Sequence, residues 1–210
     1  MTGDRYRRDD TPTQHQRMPR IAAAPSSTFI QLTCAQAGAV SRAQAIELAL
    51  TPGQIEAMLA ARRWQSYLPG VYLTFTGPVP PASRIWGALL YAGEGATANL
   101  ETAAWLWGLR GDLPARIDMC VPHGRRVFDQ PGLRIASRRH LAAKRHPVKL
   151  PARTRIEDTV LDLIDQTPRA DAVVALLTGA CQRRRTTAAR LVGECVAGGD
   201  CVGAVWSATY

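Results

Sequence analysis

Two helix-start signatures ten residues apart constrain this chain more than any other feature. Ser41-Arg42-Ala43-Gln44 and Thr51-Pro52-Gly53-Gln54 each set a hydroxyl three positions before a glutamine. In such a capping box the hydroxyl accepts from an orphan backbone N–H of the first turn. The glutamine reaches back to the N–H of the capping residue. Pro52 falls at the first helical position, where its missing donor costs nothing. Leu50 before the second cap and Ile55 in the first turn beyond it are spaced as a hydrophobic staple. Ile55, Met58, Leu59 and the stem of Arg62 then recur at helical spacing, which predicts one buried stripe. From Trp64 to Leu68 the pattern alternates, Pro69-Gly70 turns, and Val71 to Phe75 alternates again, as in a hairpin. Pro-Gly suits a type II turn, whose twist fits a hairpin poorly, so the hairpin is expected to be irregular.

Two short helices and a hairpin are the layout of a winged helix-turn-helix. Thr28-Phe29-Ile30-Gln31 reads as a third capping box, opening a helix that ends near Gly38 and completes the unit. The stripe leaves Gly53, Gln54, Ala57, Ala60 and Ala61 on the outer face of the second helix. Gln54 alone among these reaches a base edge, by a bidentate contact to adenine. Arg42 and Gln44 on the first helix, with Arg62, Arg63, Gln65 and Tyr67 at the root of the wing, are the candidates for phosphate contact. Such contacts position a protein without specifying sequence, so DNA binding is expected to be modest. The plainer alternative is a helical unit that only packs inside a larger domain.

The formal net charge is +9, but its distribution matters more than its size. Residues 28–75 carry three basic against two acidic side chains, whereas residues 76–150 carry eleven against five. Between His123 and Lys149 lie eight Lys or Arg, three His and one acid, Asp129. Arg125, Arg126, Arg134, Arg138, Arg139, Lys144 and Arg145 read either as a face for nucleic acid or an acidic protein surface. The equal alternative is a solvated sheet edge that blocks strand-to-strand aggregation. His123, His140 and His146 lack metal-ligand spacing, and the five cysteines include no C-x-x-C pair. We therefore expect no metal, no cofactor and no disulfide framework. No apolar run approaches the roughly 18 residues of a membrane span, and no secretory signal opens the chain. A cytoplasmic protein is expected.

Four segments follow from composition: a disordered basic tail (1–27), the winged unit (28–77), a mixed α/β domain (82–196) and an irregular end (197–210). Pro78 to Pro81 marks the boundary. Ser83–Ala92 and Leu100–Leu109 read as helices, and the Trp105/Trp107 pair of the second reads as core. Ile117–Val121 and Leu133–Ser137 read as strands, with helices from Arg155 to Gln166 and Ala170 to Cys181. In the helix from Arg155, Glu157, Asp158, Asp162 and Asp165 read as a solvated face opposite Ile156, Val160, Leu163 and Ile164. The fold class is α+β.

In order, VSRAQAIELALTPGQIEAMLAARRWQSYLPGVYL, ATANLETAAWLWGL, IDMCVPHGRRV, ARTRIEDTVLDLID and LLTGACQRRRTT resemble the AbiEi-type antitoxins of type IV toxin–antitoxin systems in their actinobacterial form. The resemblance covers about residues 35 to 190. It implies a winged N-terminal domain that represses its own operon by binding its promoter DNA. It also implies a second domain, with the basic strands, that neutralises a nucleotidyltransferase-like AbiEii toxin without needing to touch it. Gly53, Ala57 and Ala61 stand where family members carry polar donors. Many relatives continue into an endonuclease-like domain of the very-short-patch-repair type, absent here, so no catalysis is expected. The other readings are a truncated or frame-shifted remnant of such an endonuclease-like protein, and a protein-interaction module.

Overall fold

The computed structural model describes residues 26–198, a mixed α+β fold with nine helices and two small three-stranded sheets among them. The terminal segments 1–25 and 199–210 lie outside the described residues, with most of both expected tails.

The N-terminal part runs α1 (Ser27–Ala35), β1 (Ala39–Ser41), α2 (Arg42–Glu47), α3 (Pro52–Ala60), β2 (Gln65–Leu68) and β3 (Val71–Leu73). Both capping boxes form as the spacing predicts. Gln44 N–H donates to Ser41 Oγ while Ser41 N–H donates to Gln44 Oε1, and Thr51 and Gln54 repeat the exchange. The third box does not form. Ser26, not Thr28, caps α1, because its hydroxyl stands three residues before the Phe29 N–H. Leu50 and Ile55 meet in one core, as a staple requires. Arg62 leaves the expected stripe: the helix has ended, its φ is +52°, and its side chain is exposed.

Phe29, Val40, Ala45, Ile55, Trp64 and Tyr72 form this core, with Phe29 stacked on Trp64 at 5.6 Å. The sheet order is β1-β3-β2, both pairings antiparallel. β1 was not foreseen; at three residues it is too short to show an alternating pattern. The β2–β3 register shifts between Ser66 and Leu68, and Gly70 takes φ +71° in the turn, so the hairpin is irregular as Pro-Gly implies.

α4 (Pro81–Ala92) follows, started by Pro81 at a first-turn position and stopped by Gly93 at φ +81°. It packs between the two sheets. Ser83 Oγ donates to the Ala37 carbonyl at 2.6 Å, and the Tyr67 ring of β2 lies on the bare backbone of Gly87. Its opposite residues, including Ile85, Ala88 and Leu89, join Ile117, Met119 and Val121 in a second core.

The second sheet is β4 (Thr97–Ala98), β5 (Ile117–Pro122) and β6 (Leu133–Arg138), in that order. β4 pairs antiparallel to β5, and β5 parallel to β6. Parallel neighbours usually need a helical crossover. Here residues 123–132 make the return without one, held by Tyr91 Oη donating to the Phe128 carbonyl and by Ile135 N–H donating to Asp129 Oδ1. α5 (Leu100–Leu106), α6 (Leu141–Lys144), α7 (Ile156–Asp165), α8 (Ala170–Gln182) and α9 (Ala188–Gly198) complete the chain. α5, α7, α8 and α9 enclose a third core that includes Leu100, Val160, Leu176 and Leu191. Trp105 packs on the second core and Trp107 on the third, in line with the expected core role.

A Cβ at Gly87 would stand 2.5 Å from the Tyr67 ring. Gly87→Val is therefore expected to cost about 1–3 kcal/mol, despite its better helix propensity. Thermal unfolding should show Tm lowered by roughly 2–10 °C. Combined with Tyr67→Ala, the loss should be smaller than the sum of the two single losses.

Candidate nucleic-acid interface and the charged network behind it

Arg42, Arg62 and Arg63 are exposed, and none forms an ion pair among the described residues. The outer face of α3 stays open, with Gly53, Ala57, Ala60 and Ala61 exposed. The other sequence-expected residues are already in use. Gln44 and Gln54 spend their amide oxygens in the capping boxes, and Gln54 Oε1 accepts both Thr51 N–H at 2.8 Å and Thr51 Oγ1 at 3.1 Å. A bidentate contact to adenine needs that oxygen, so Gln54 must first give up its cap. Gln65 Nε2 donates to the Gly77 carbonyl at 3.2 Å. Tyr67 lies against Gly87 of α4, where burial pushes its hydroxyl pKa up against the opposing pull of Arg84.

The basic stretch from His123 to Lys149 divides in two. Arg125, Arg126 and Arg139 are exposed, Arg125 donating to the Glu94 carbonyl at 3.0 Å, and Arg145 is half-buried. Arg134, Arg138 and Lys144 instead turn inwards onto acids. Arg134 Nε lies 2.9 Å from Asp118 Oδ1, and Arg116 Nε 3.4 Å from the same oxygen. Arg138 holds both oxygens of Asp162, Nη2 to Oδ1 at 2.6 Å. Lys144 Nζ is 3.3 Å from Asp158 Oδ1.

This corrects the expected solvated face of α7. Asp158 and Asp162 are only 3% and 6% exposed, and Glu157 is half-buried; Asp165 alone is exposed. The four-residue spacing of Asp158 and Asp162 aims both at the same neighbours, the end of β6 and α6. Helical periodicity sorts residues by polarity and cannot see that a polar face meets a cationic strand.

The network sets local ionisation. The hydrogen bonds that Arg138 donates to Asp162 raise the Arg138 pKa further, and burial pushes the Cys120 thiol up to about 12, so it stays protonated. Burial also raises the Asp158 pKa, outweighing the pull of Lys144, and its Oδ2 has no hydrogen-bond partner among the described residues. Among the described residues no group of three or more His, Cys, Asp or Glu is placed to hold a metal ion. Among them, too, no helix is long and apolar enough to cross a membrane.

Compared with protein-family models and with curated proteins, the chain matches none. Among solved structures it is similar to the crystal structure of the Rv2827c protein of Mycobacterium tuberculosis, at 17% identity and a TM-score of 0.40. That alignment covers 67% of this chain and 66% of the other, so the chain spans just under two thirds of that protein.

Two outcomes test the network. Arg138→Met strands the Asp162 carboxylate and is expected to cost about 3 kcal/mol in urea unfolding. Adding Asp162→Leu should recover most of that loss. For Asp158, a raised folded pKa means stability that is complete below the unfolded value of about 3.9 and is lost as pH rises through the folded one. The Tm of Asp158→Asn should therefore gain on that of the parent as pH rises from about 4 towards neutrality. A constant difference across that window would remove burial of Asp158 as the cause.

Proposed function

We propose that the chain is a DNA-binding transcriptional regulator, its N-terminal unit a winged helix-turn-helix, acting as the AbiEi-type antitoxin of a type IV toxin–antitoxin system. On this reading it represses its own operon, counters a nucleotidyltransferase-like AbiEii toxin without needing to contact it, works in the cytoplasm, and is neither an enzyme nor dependent on a cofactor. The observation that carries the DNA-binding part is the order α1–β1–α2–α3–β2–β3 with its β1-β3-β2 sheet. That order leaves the outer face of α3 open beside the exposed Arg42, Arg62 and Arg63. The antitoxin part rests on the ordered sequence motifs.

The side chains favour anchoring over reading. Three guanidiniums without acidic partners among the described residues supply phosphate contacts. α3 offers Gly53, Ala57 and Ala61 where base-reading donors would sit, and the oxygen of Gln54 is committed to its cap. Specificity on this reading comes from DNA shape and the wing more than from direct base contacts. Arg125, Arg126 and Arg139 add backbone contacts or form the antitoxin surface. Arg134, Arg138 and Lys144 serve the fold.

Fluorescence anisotropy on the chain's own upstream DNA and a shuffled duplex, across a salt series, tests this. Three phosphate contacts predict a log–log salt slope of about −2.7. Arg42→Gln/Arg62→Gln/Arg63→Gln should flatten that slope and weaken binding to both duplexes. Gln54→Ala should lower helix stability by about 0.5–1 kcal/mol and change affinity little. A tenfold or greater preference for the upstream DNA supports a repressor. Absence of binding to either duplex overturns the reading in favour of a protein-interaction module.

A further inference from the structure

A cavity of about 320 Å³ opens where α5, α7 and the α8–α9 connection meet. Trp107, His146, Arg155, Glu157, Arg185 and Arg190 line it. Three guanidiniums, those of Arg155, Arg185 and Arg190, share this lining with a single carboxylate, that of Glu157. Glu157 already accepts from Thr186 Oγ1 at 2.7 Å and stands 3.8 Å from Arg190 Nε. Among the described residues, Arg155 and Arg185 have neither an ion-pair partner nor a side-chain hydrogen bond. Like charges gathered in a concave site repel one another and concentrate a positive field that an anion relieves.

The remaining wall is aromatic. Trp107 is fixed by Nε1 donating to the Thr154 carbonyl at 3.0 Å and by the Arg153 guanidinium 5.5 Å from its ring centre. The His146 ring meets it edge-on at 5.4 Å. His146 Nδ1 accepts from the Val148 and Lys149 N–H groups, so the neutral ring carries its proton on Nε2 and offers a donor. Burial and the nearby Lys149, Arg153 and Arg155 lower the His146 pKa, which keeps that form at neutral pH.

We propose that this cavity binds a nucleoside 5′-monophosphate, its phosphate held by Arg155, Arg185 and Arg190 and its base set against the Trp107–His146 wall. Guanidinium forks match phosphate oxygens bidentately, and aromatic and imidazole rings accept the flat faces of bases. The cavity is at the small end of ligand pockets, which suits one nucleotide rather than a strand. This site is separate from the DNA-binding reading and stands or falls without it.

Isothermal titration of the full chain with AMP, adenosine and inorganic phosphate tests the assignment. AMP should bind at least tenfold more tightly than either fragment. Arg155→Gln/Arg185→Gln, both exposed side chains, should weaken AMP at least tenfold while circular dichroism and Tm stay unchanged. Arg169→Gln/Arg184→Gln removes the same charge away from the cavity and should bind AMP as the parent does. No AMP binding at millimolar concentration overturns the proposal. So does equal affinity for phosphate alone, or equal loss in both double variants.

Discussion

Burying two aspartates one turn apart on a helix is unfavourable unless each meets a cation, and α7 depends on Arg138 from β6 and Lys144 from α6 to do so. The arrangement ties the last strand of the second sheet to the helical layer behind it. It also explains why a stretch so rich in arginine and lysine is not a uniformly free surface. Some of its cations, Arg134, Arg138 and Lys144, pair with buried acids, and others, Arg125, Arg126 and Arg139, stay exposed. Net charge alone could not separate these groups, because it counts a guanidinium equally in either place.

α4 plays the corresponding part between the two sheets. It offers Ser83 and Gly87 to the N-terminal unit and Ile85, Ala88 and Leu89 to the second core. The hairpin therefore leans on a helix that belongs equally to the second core. Tyr67 and Gln65, which alternate along β2, serve this packing and the turn at Gly77.

Local chemistry was the most legible part of the sequence. Both capping boxes, the staple, the irregular hairpin and the helix after Pro80-Pro81 follow from side chains acting within a few residues of themselves. What was not legible depends on distant partners. β1 and β4 are too short to carry a pattern and exist because β3 and β5 accept them. The parallel pairing of β5 with β6 lies in a connection whose Pro131-Gly132 turn signal does not reveal strand direction. The inward turn of Asp158 and Asp162 required the location of Arg138 and Lys144. In the candidate interface Arg42, Arg62 and Arg63 are all exposed, although helical spacing puts the stem of Arg62 in the buried stripe, and residue type could not show that the oxygens of Gln44 and Gln54 were already occupied. The cavity beside Trp107 gathers residues from four separate stretches, and each looked ordinary alone.

The contact of Tyr67 with Gly87 also has an evolutionary side. A larger residue at 87 has room only if position 67 shrinks, and a smaller residue at 67 leaves a hole that 87 must fill. One position lies on a strand and the other on the helix packed against it, yet they are free to drift only together. Across diverging descendants of this chain, their side-chain volumes should vary in opposite directions. The exposed residues on the outer face of α3, Gly53, Ala57 and Ala60, carry no such reciprocal constraint among the described residues.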